Sequence, residues 1–138
     1  MNFFVDNCVS HHLVEAIQLM EQNHQLVHLS AKFDRDTPDV IWITRLGREG
    51  NWVIISGDPR ITRGREERRA WRESGLTAFF FGGKFASSKI WKQASVFCEW
   101  WPRIAQEARE YREGELGCGY IIPPGGKKWT IHTPTRHS

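Results

Sequence analysis

The chain has 138 residues and a mass of 16.1 kDa, one domain's worth of protein with room for a single core. Hydrophobic residues make up 40% and charged residues 25%, which excludes disordered and fibrous classes, and no apolar run approaches the roughly 20 residues that span a bilayer. A net charge of +3 does not by itself identify a nucleic-acid partner, because phosphate affinity depends on where cations cluster. The N-terminus reaches Asp6 before any long apolar run, so a soluble, cytoplasmic protein is expected. Cys8, Cys98 and Cys118 are odd in number, widely spaced and without a C-x-x-C pair, and read as reduced thiols.

In chain order, NFFV (Asn2 to Val5) is a short apolar run ending at Asp6 and predicts a buried strand. From Ser10, a candidate N-cap, Leu13, Ala16, Ile17 and Met20 fall at helical spacing until Glu21 to His24. Gln25 to Leu29 predicts a second strand, and Ala31 to Thr37 a polar connection. Pro38 then opens a helix capped by Asp36 or Thr37, with Trp42, Ile43 and Leu46 on one face and Gly47 and Gly50 as its stop. Trp52 to Ser56 predicts a third strand, Arg65 to Ser74 a helix ending at Gly75, and Leu76 to Phe81 a fourth strand. Strands alternating with helices require crossover connections, so a parallel sheet covered on both faces is expected. Beyond Gly82-Gly83, Ser87 or Ser88 is placed to cap a long helix through Trp91, Ala94, Phe97, Cys98 and Trp101, kinked or broken at Pro102 and continuing over Ala105 to Arg112. Gly117 to Ile122 and Lys128 to Thr133 read as a terminal hairpin around the Pro-Pro-Gly-Gly turn at 123–126, with His137 and Ser138 frayed. The expected organisation is one domain over 1–138, an α/β core at 1–82 followed by the C-terminal helix and short strands at 83–138.

Ligands of an open parallel sheet bind outside the carboxyl ends of its strands. Asp6 and Asp58 each follow an apolar run and so lie at such ends, and Asp39, beside Pro38, lies at a helix start that points to the same edge. Two ionised carboxylates about 4 Å apart repel by several kcal/mol at a surface-like dielectric, so either a proton or a cation must share the site. Three acids suit Mg²⁺ or Mn²⁺, which prefer oxygen ligands and retain water. Asp39 as a helix-start charge and Asp58 as an acid in a turn before proline are the plainer alternatives. An acid directly after NFFV is harder to place in a core without a partner.

Arg60, Arg63, Arg65, Arg68, Arg69 and Arg72 crowd the segment that follows, and on a helix the last four share a face able to track a phosphate backbone or meet a partner. Glu66, Glu67 and Glu73 dilute that patch, and a solvated, ion-paired face is the alternative. His11 and His12 follow Asp6 closely but read as an exposed pair at a helix start, and His24 and His28 have no metal-like spacing. Trp91, Trp100 and Trp101 are expected in the core, with an interface, including one in a homo-oligomer, as the other reading.

Taken together, FFVDN and DTPDVIWITRLGREGNWVIISGDPRI resemble PIN-like nucleases, in particular the short toxins of VapC type, whose second motif reads roughly D-x-x-W-I and whose third ends a strand in D-x-R-I. The resemblance covers Asn2 to about Phe81. It implies an α/β/α sandwich with a central, mostly parallel sheet, a Mg²⁺ or Mn²⁺ site at Asp6, Asp39 and Asp58, and hydrolysis of RNA phosphodiester bonds. A fourth acid is usual in that family; Asp36 and Glu67 are the nearest candidates, and the position after Asp39, often acidic in similar sequences, is Val40. Many such relatives are toxins silenced by a cognate antitoxin, so the resemblance also implies a protein partner. A receiver-like phospho-acceptor domain, with Asp58 as acceptor and Lys84 at a later strand end, competes with this reading, but it needs adjacent acids where the chain has Asp6-Asn7 and leaves Asp39 without a role. An inactive PIN-like binding module is the third.

Overall fold

The structure, a computed structural model, describes residues 1–58, 61, 63–111, 118–123 and 128–132. Gly117, the turn beyond Pro123 and the two terminal residues lie outside the described residues, as does Arg60. Among the described residues, six strands form one sheet: β1 (Asn2–Val5), β2 (Gln25–His28), β3 (Trp52–Ser56), β4 (Ala78–Phe81), β5 (Gly119–Ile122) and β6 (Thr130–His132), in the order β2-β1-β3-β4-β5-β6. The first five are parallel and only β6 runs against its neighbour. The helices are α1 (His11–Met20), α2 (Leu29–Lys32), α3 (Asp39–Glu49), α4 (Arg65–Ser74) and α5 (Ile90–Tyr111).

The two-residue period of the strands sorts their side chains onto two cores. Phe3, Val5, Val53, Ile55, Phe79 and Phe81 pack with Leu13 and Ile17 of α1 and with Phe97, Trp101 and Ile104 of α5. Phe4, Ile54, Ala78 and Phe80 pack instead with Trp42 and Leu46 of α3 and Trp71 of α4. The result is the expected α/β/α sandwich. Strands buried on both faces have no polar side, which is why NFFV, WVIIS and AFFF read as continuous apolar runs. α3 and α4 cross closely at Gly47, where an added Cβ would lie 2.8 Å from Ser74 Cβ and 2.9 Å from its Cα.

Ser10 caps α1 as expected, its hydroxyl accepting from the His12 N–H at 3.2 Å. The cap of α3 differs from expectation. Pro38 itself occupies the N-cap position, without a side-chain bond, because the Thr37 hydroxyl is spent on the Asp34 carbonyl at 2.6 Å. Leu29 opens the single turn α2 and does not extend β2, since the His28 ring accepts from the Ser30 N–H at 3.1 Å and turns the chain into a helix. The Ser87 and Ser88 hydroxyls donate to the Lys84 carbonyl, so neither caps α5, which begins at Ile90.

α5 passes through Pro102 as one helix, with Pro102 exposed on its outer side. Trp100 and Trp101 are core residues, whereas Trp91 is 84% exposed. Nine residues at 100° each place Trp91 opposite Trp100 on the helix. Cys98 is likewise exposed, and the buried stripe runs through Gln93, Phe97, Trp100, Trp101, Ile104 and Ala108. The terminal pair is antiparallel, as a hairpin requires, but β5 also lies parallel to β4 and so extends the central sheet.

Candidate active site at the carboxyl rim of the sheet

β1 lies between β2 and β3, so the chain leaves β1 toward one side of the sheet and returns on the other. The switch point therefore falls between β1 and β3, where ligands of such sheets bind. Val5 pairs with Ile55, and the Asp6 N–H donates to the Ile55 carbonyl at 2.8 Å. Asp6 and Ser56 thus leave the sheet side by side.

Asp6 is only 5% exposed. One carboxylate oxygen, Oδ2, accepts from the Ser56 hydroxyl at 2.7 Å, and the other, Oδ1, from the Asn7 N–H at 2.5 Å. Burial pushes its carboxyl from the ordinary 3.8 up to about 6. The Ser56 and Asn7 hydrogen bonds oppose that rise, while the charges of Asp39 and Asp58 reinforce it. The three sequence-predicted acids therefore share one electrostatic environment.

Ser56 was not singled out in the sequence, where it reads as the end of an apolar run. In the structure it is fully buried and links two acids: its oxygen accepts from the Asp58 N–H at 3.0 Å while its hydrogen goes to Asp6. Gly57 follows because space is absent. An added Cβ there would lie 2.9 Å from Phe85 Cδ1 and 3.1 Å from Cys8 Cβ. Asp39 is the first residue of α3, and its Oδ1 accepts from the Trp42 indole N–H at 3.1 Å, which ties the carboxylate to a core side chain.

Two further buried polar residues hold the loop after Asp6. His28 Nδ1 accepts from the Ser30 N–H, so Nε2 carries the hydrogen and donates to the Val9 carbonyl at 2.7 Å. Burial holds that imidazole below its usual range, with the Val9 bond opposing and the neighbouring His11 adding to the effect. Gln93 of α5 donates to the carbonyls of Cys8 and Phe85, both at 3.0 Å, and accepts from the Ser10 N–H at 3.2 Å. Neither residue could be picked out by spacing, since each acts on backbone atoms remote in sequence.

The donor chemistry fits a hard divalent ion. All three acids offer oxygen, and a desolvated carboxylate held beside two like charges is stabilised by a cation. Among the described residues, however, the set offering three ligand atoms within 4.8 Å of one another is His11, His12 and Glu15 at the start of α1, not the three aspartates. Its His11 Nδ1 lies 3.6 Å from Glu15 Oε1, and the two imidazoles are 4.0 Å apart. Imidazole-rich sets suit zinc-like ions better than Mg²⁺. The wider aspartate arrangement suits an ion that keeps several of its own waters.

Of the fourth-acid candidates, Asp36 is exposed in the turn before α3 and Glu67 is half-buried in the first turn of α4; the charges acting on Asp6 are those of Asp39 and Asp58. Arg63, Arg65, Arg68, Arg69 and Arg72 line one open hollow of about 500 Å³ together with Glu73, which pairs with Arg69 at 3.4 Å. A hollow of about 730 Å³ lies between α2 and α3 and not over the acids.

A search of the curated proteins and one of the solved structures give no match. The strand order is one that receiver domains also use, so the sheet alone does not separate the two readings. The sequence comparison does, because residues 1–83 match the family described as a PIN like domain. That span carries β1 through β4 and all three rim aspartates, and the chain belongs to the PIN-like domain family.

Proposed function

We propose that the chain is a metal-dependent endoribonuclease in which Asp6, Asp39 and Asp58 hold Mg²⁺ or Mn²⁺, and that it is the toxin of a type II toxin–antitoxin pair. PIN-like domains are generally nucleases and typically use divalent metals. The single observation that carries the reading here is Asp6, a buried carboxylate at the switch point whose protonation is favoured by two neighbouring acids. A divalent ion bound there supplies an acidified water and neutralises charge on the phosphodiester.

The remaining roles belong to the chain. Ser56 and the Asn7 N–H fix both oxygens of Asp6. The Trp42 indole fixes Asp39, which ligates the ion or orients the attacking water. Arg63 and Arg65 enter α4 from the rim, and Arg72 lies about 10 Å further along the helix. The arginine face is therefore suited to RNA leaving the site, or to an antitoxin covering it.

The test is cleavage of a mixed cellular RNA pool with Mn²⁺, with excess EDTA, and with Asp6→Asn. Cleavage that requires both the metal and Asp6 is expected. Folded, partner-free protein that cleaves in none of the three conditions would reduce the chain to a PIN-like binding module.

A further inference from the structure

Trp91 is 84% exposed at the second residue of α5, where an indole adds little to the core. Its neighbours Lys84, Lys89 and Lys92 are also exposed. From Gly82 to Cys98 the chain carries these three lysines and no acidic residue. The segment thus carries no acid of its own, unlike the arginine helix, where Arg69 pairs with Glu73.

Its position follows from packing. β4 is the neighbour of β3, so the turn beginning at Gly82 leaves the rim about 5 Å from the end of the strand that carries Asp58. Phe85 stacks on Phe81 at 4.4 Å and closes on Gly57, and Gln93 bonds the carbonyl of Cys8 and the N–H of Ser10. The lysine and tryptophan segment is therefore clamped from both ends to the loops that present Asp58 and Asp6. A hollow of about 120 Å³ between Lys84, Ser88, Lys92 and Pro123 continues the same edge.

We infer that Lys84, Lys89, Trp91 and Lys92 form a docking platform for single-stranded RNA, the indole stacking on a base and the lysines following the phosphates beside the aspartates. Cationic grooves with interleaved aromatic side chains bind single strands in this way without base-specific hydrogen bonds. The inference builds on the proposed nuclease reading, and its test separates the two.

The measurement is fluorescence anisotropy of a short, unstructured labelled RNA on the full chain carrying Asp6→Asn, so that no cleavage intervenes. Adding Trp91→Ala is expected to weaken binding by about fivefold or more, as loss of one stacked base does, while Trp91→Phe retains most of the affinity. Lys89→Ala with Lys92→Ala should lower the salt slope by about 1.4. All are exposed positions, and an unchanged circular-dichroism melt shows that the fold is kept. RNA affinity unaffected by Trp91→Ala overturns the platform, even if cleavage proves to need Asp6 and Mn²⁺. Trp91-dependent binding by a protein that never cleaves upholds the platform and removes the nuclease. Loss of a protein complex, with RNA affinity intact, would reassign the face to a protein partner.

Discussion

Ser56 has one hydroxyl hydrogen and two acceptors in range, Asp6 at 2.7 Å and the Asp58 carbonyl at 3.4 Å. The shorter contact, to a carboxylate, takes it. Ser56→Ala would leave Asp6 without its strongest fixed donor and let its carboxyl rise further, since that bond opposes the effect of burial. Removing such a supporting partner typically lowers metal affinity about 10- to 100-fold, and that is the expected loss for Mn²⁺, measured by titration calorimetry. Equal affinities in the two proteins would show that the hydroxyl serves only the backbone of Asp58. Asp6 and Asp58 were legible as candidates because an acid ending an apolar run is costly to place elsewhere, and Asp39 because it opens a helix that points to the same edge. Ser56, His28 and Gln93 were not, because serine, histidine and glutamine carry no such penalty in sequence and show their role only through backbone atoms brought in by folding.

Among the elements, β1, β3 and α4 fall where the sequence places them, since apolar runs and a glycine stop mark both their ends. Bounds that depend on a competing hydrogen bond were not legible, as at the end of β2, where the His28 ring opens the unpredicted turn α2 at Leu29, and at the start of α5, where both serines turn back to Lys84. Trp91 shows another limit, because the buried stripe defined by Gln93, Phe97, Trp100 and Ile104 leaves out both Trp91, which lies opposite Trp100, and Cys98, although apolar spacing alone places them with Phe97 and Trp101. The contact between α3 and α4 is the most exacting element-scale feature. Gly47→Ala would set a methyl 2.8 Å from Ser74 Cβ and 2.9 Å from its Cα, where backbone must yield. Overpacking of this kind costs about 1–3 kcal/mol and helix propensity returns about 1, so a net loss in urea-denaturation stability is expected. A variant as stable as the parent would mean that the two helices slide freely. Gln93→Leu should cost more, about 1–3 kcal/mol for each buried polar group left without a partner. Its loop between Asp6 and Ser10 should exchange amide hydrogens faster than in the parent.

At the scale of the whole molecule, Asp6 contributes a pH dependence of stability opposite in direction to that of the lowered carboxyls Glu21 and Glu49. Asp6 titrates near 6 in the folded, metal-free chain and near 3.8 when unfolded. The folded state binds the proton more tightly, so this group's stabilising contribution is complete below about 3.8 and is lost as pH rises to and beyond 6. The gap corresponds to about 3 kcal/mol at most. Other groups titrate over the same range, and comparison with Asp6→Asn isolates this one, because asparagine resembles the protonated acid. The variant should match the parent near pH 4 and exceed it by up to about 3 kcal/mol at pH 7.5 in EDTA, by urea denaturation. Adding Mn²⁺ at pH 7.5 should reverse the order, since an ion held by Asp6 stabilises only the parent, by RT ln(1 + [L]/Kd). Parallel pH curves for the two proteins, unmoved by Mn²⁺, would mean that Asp6 is a neutral core residue and that the rim holds no ion; curves that separate in EDTA and cross on adding metal would tie the cost of burying Asp6 directly to the binding of a cation.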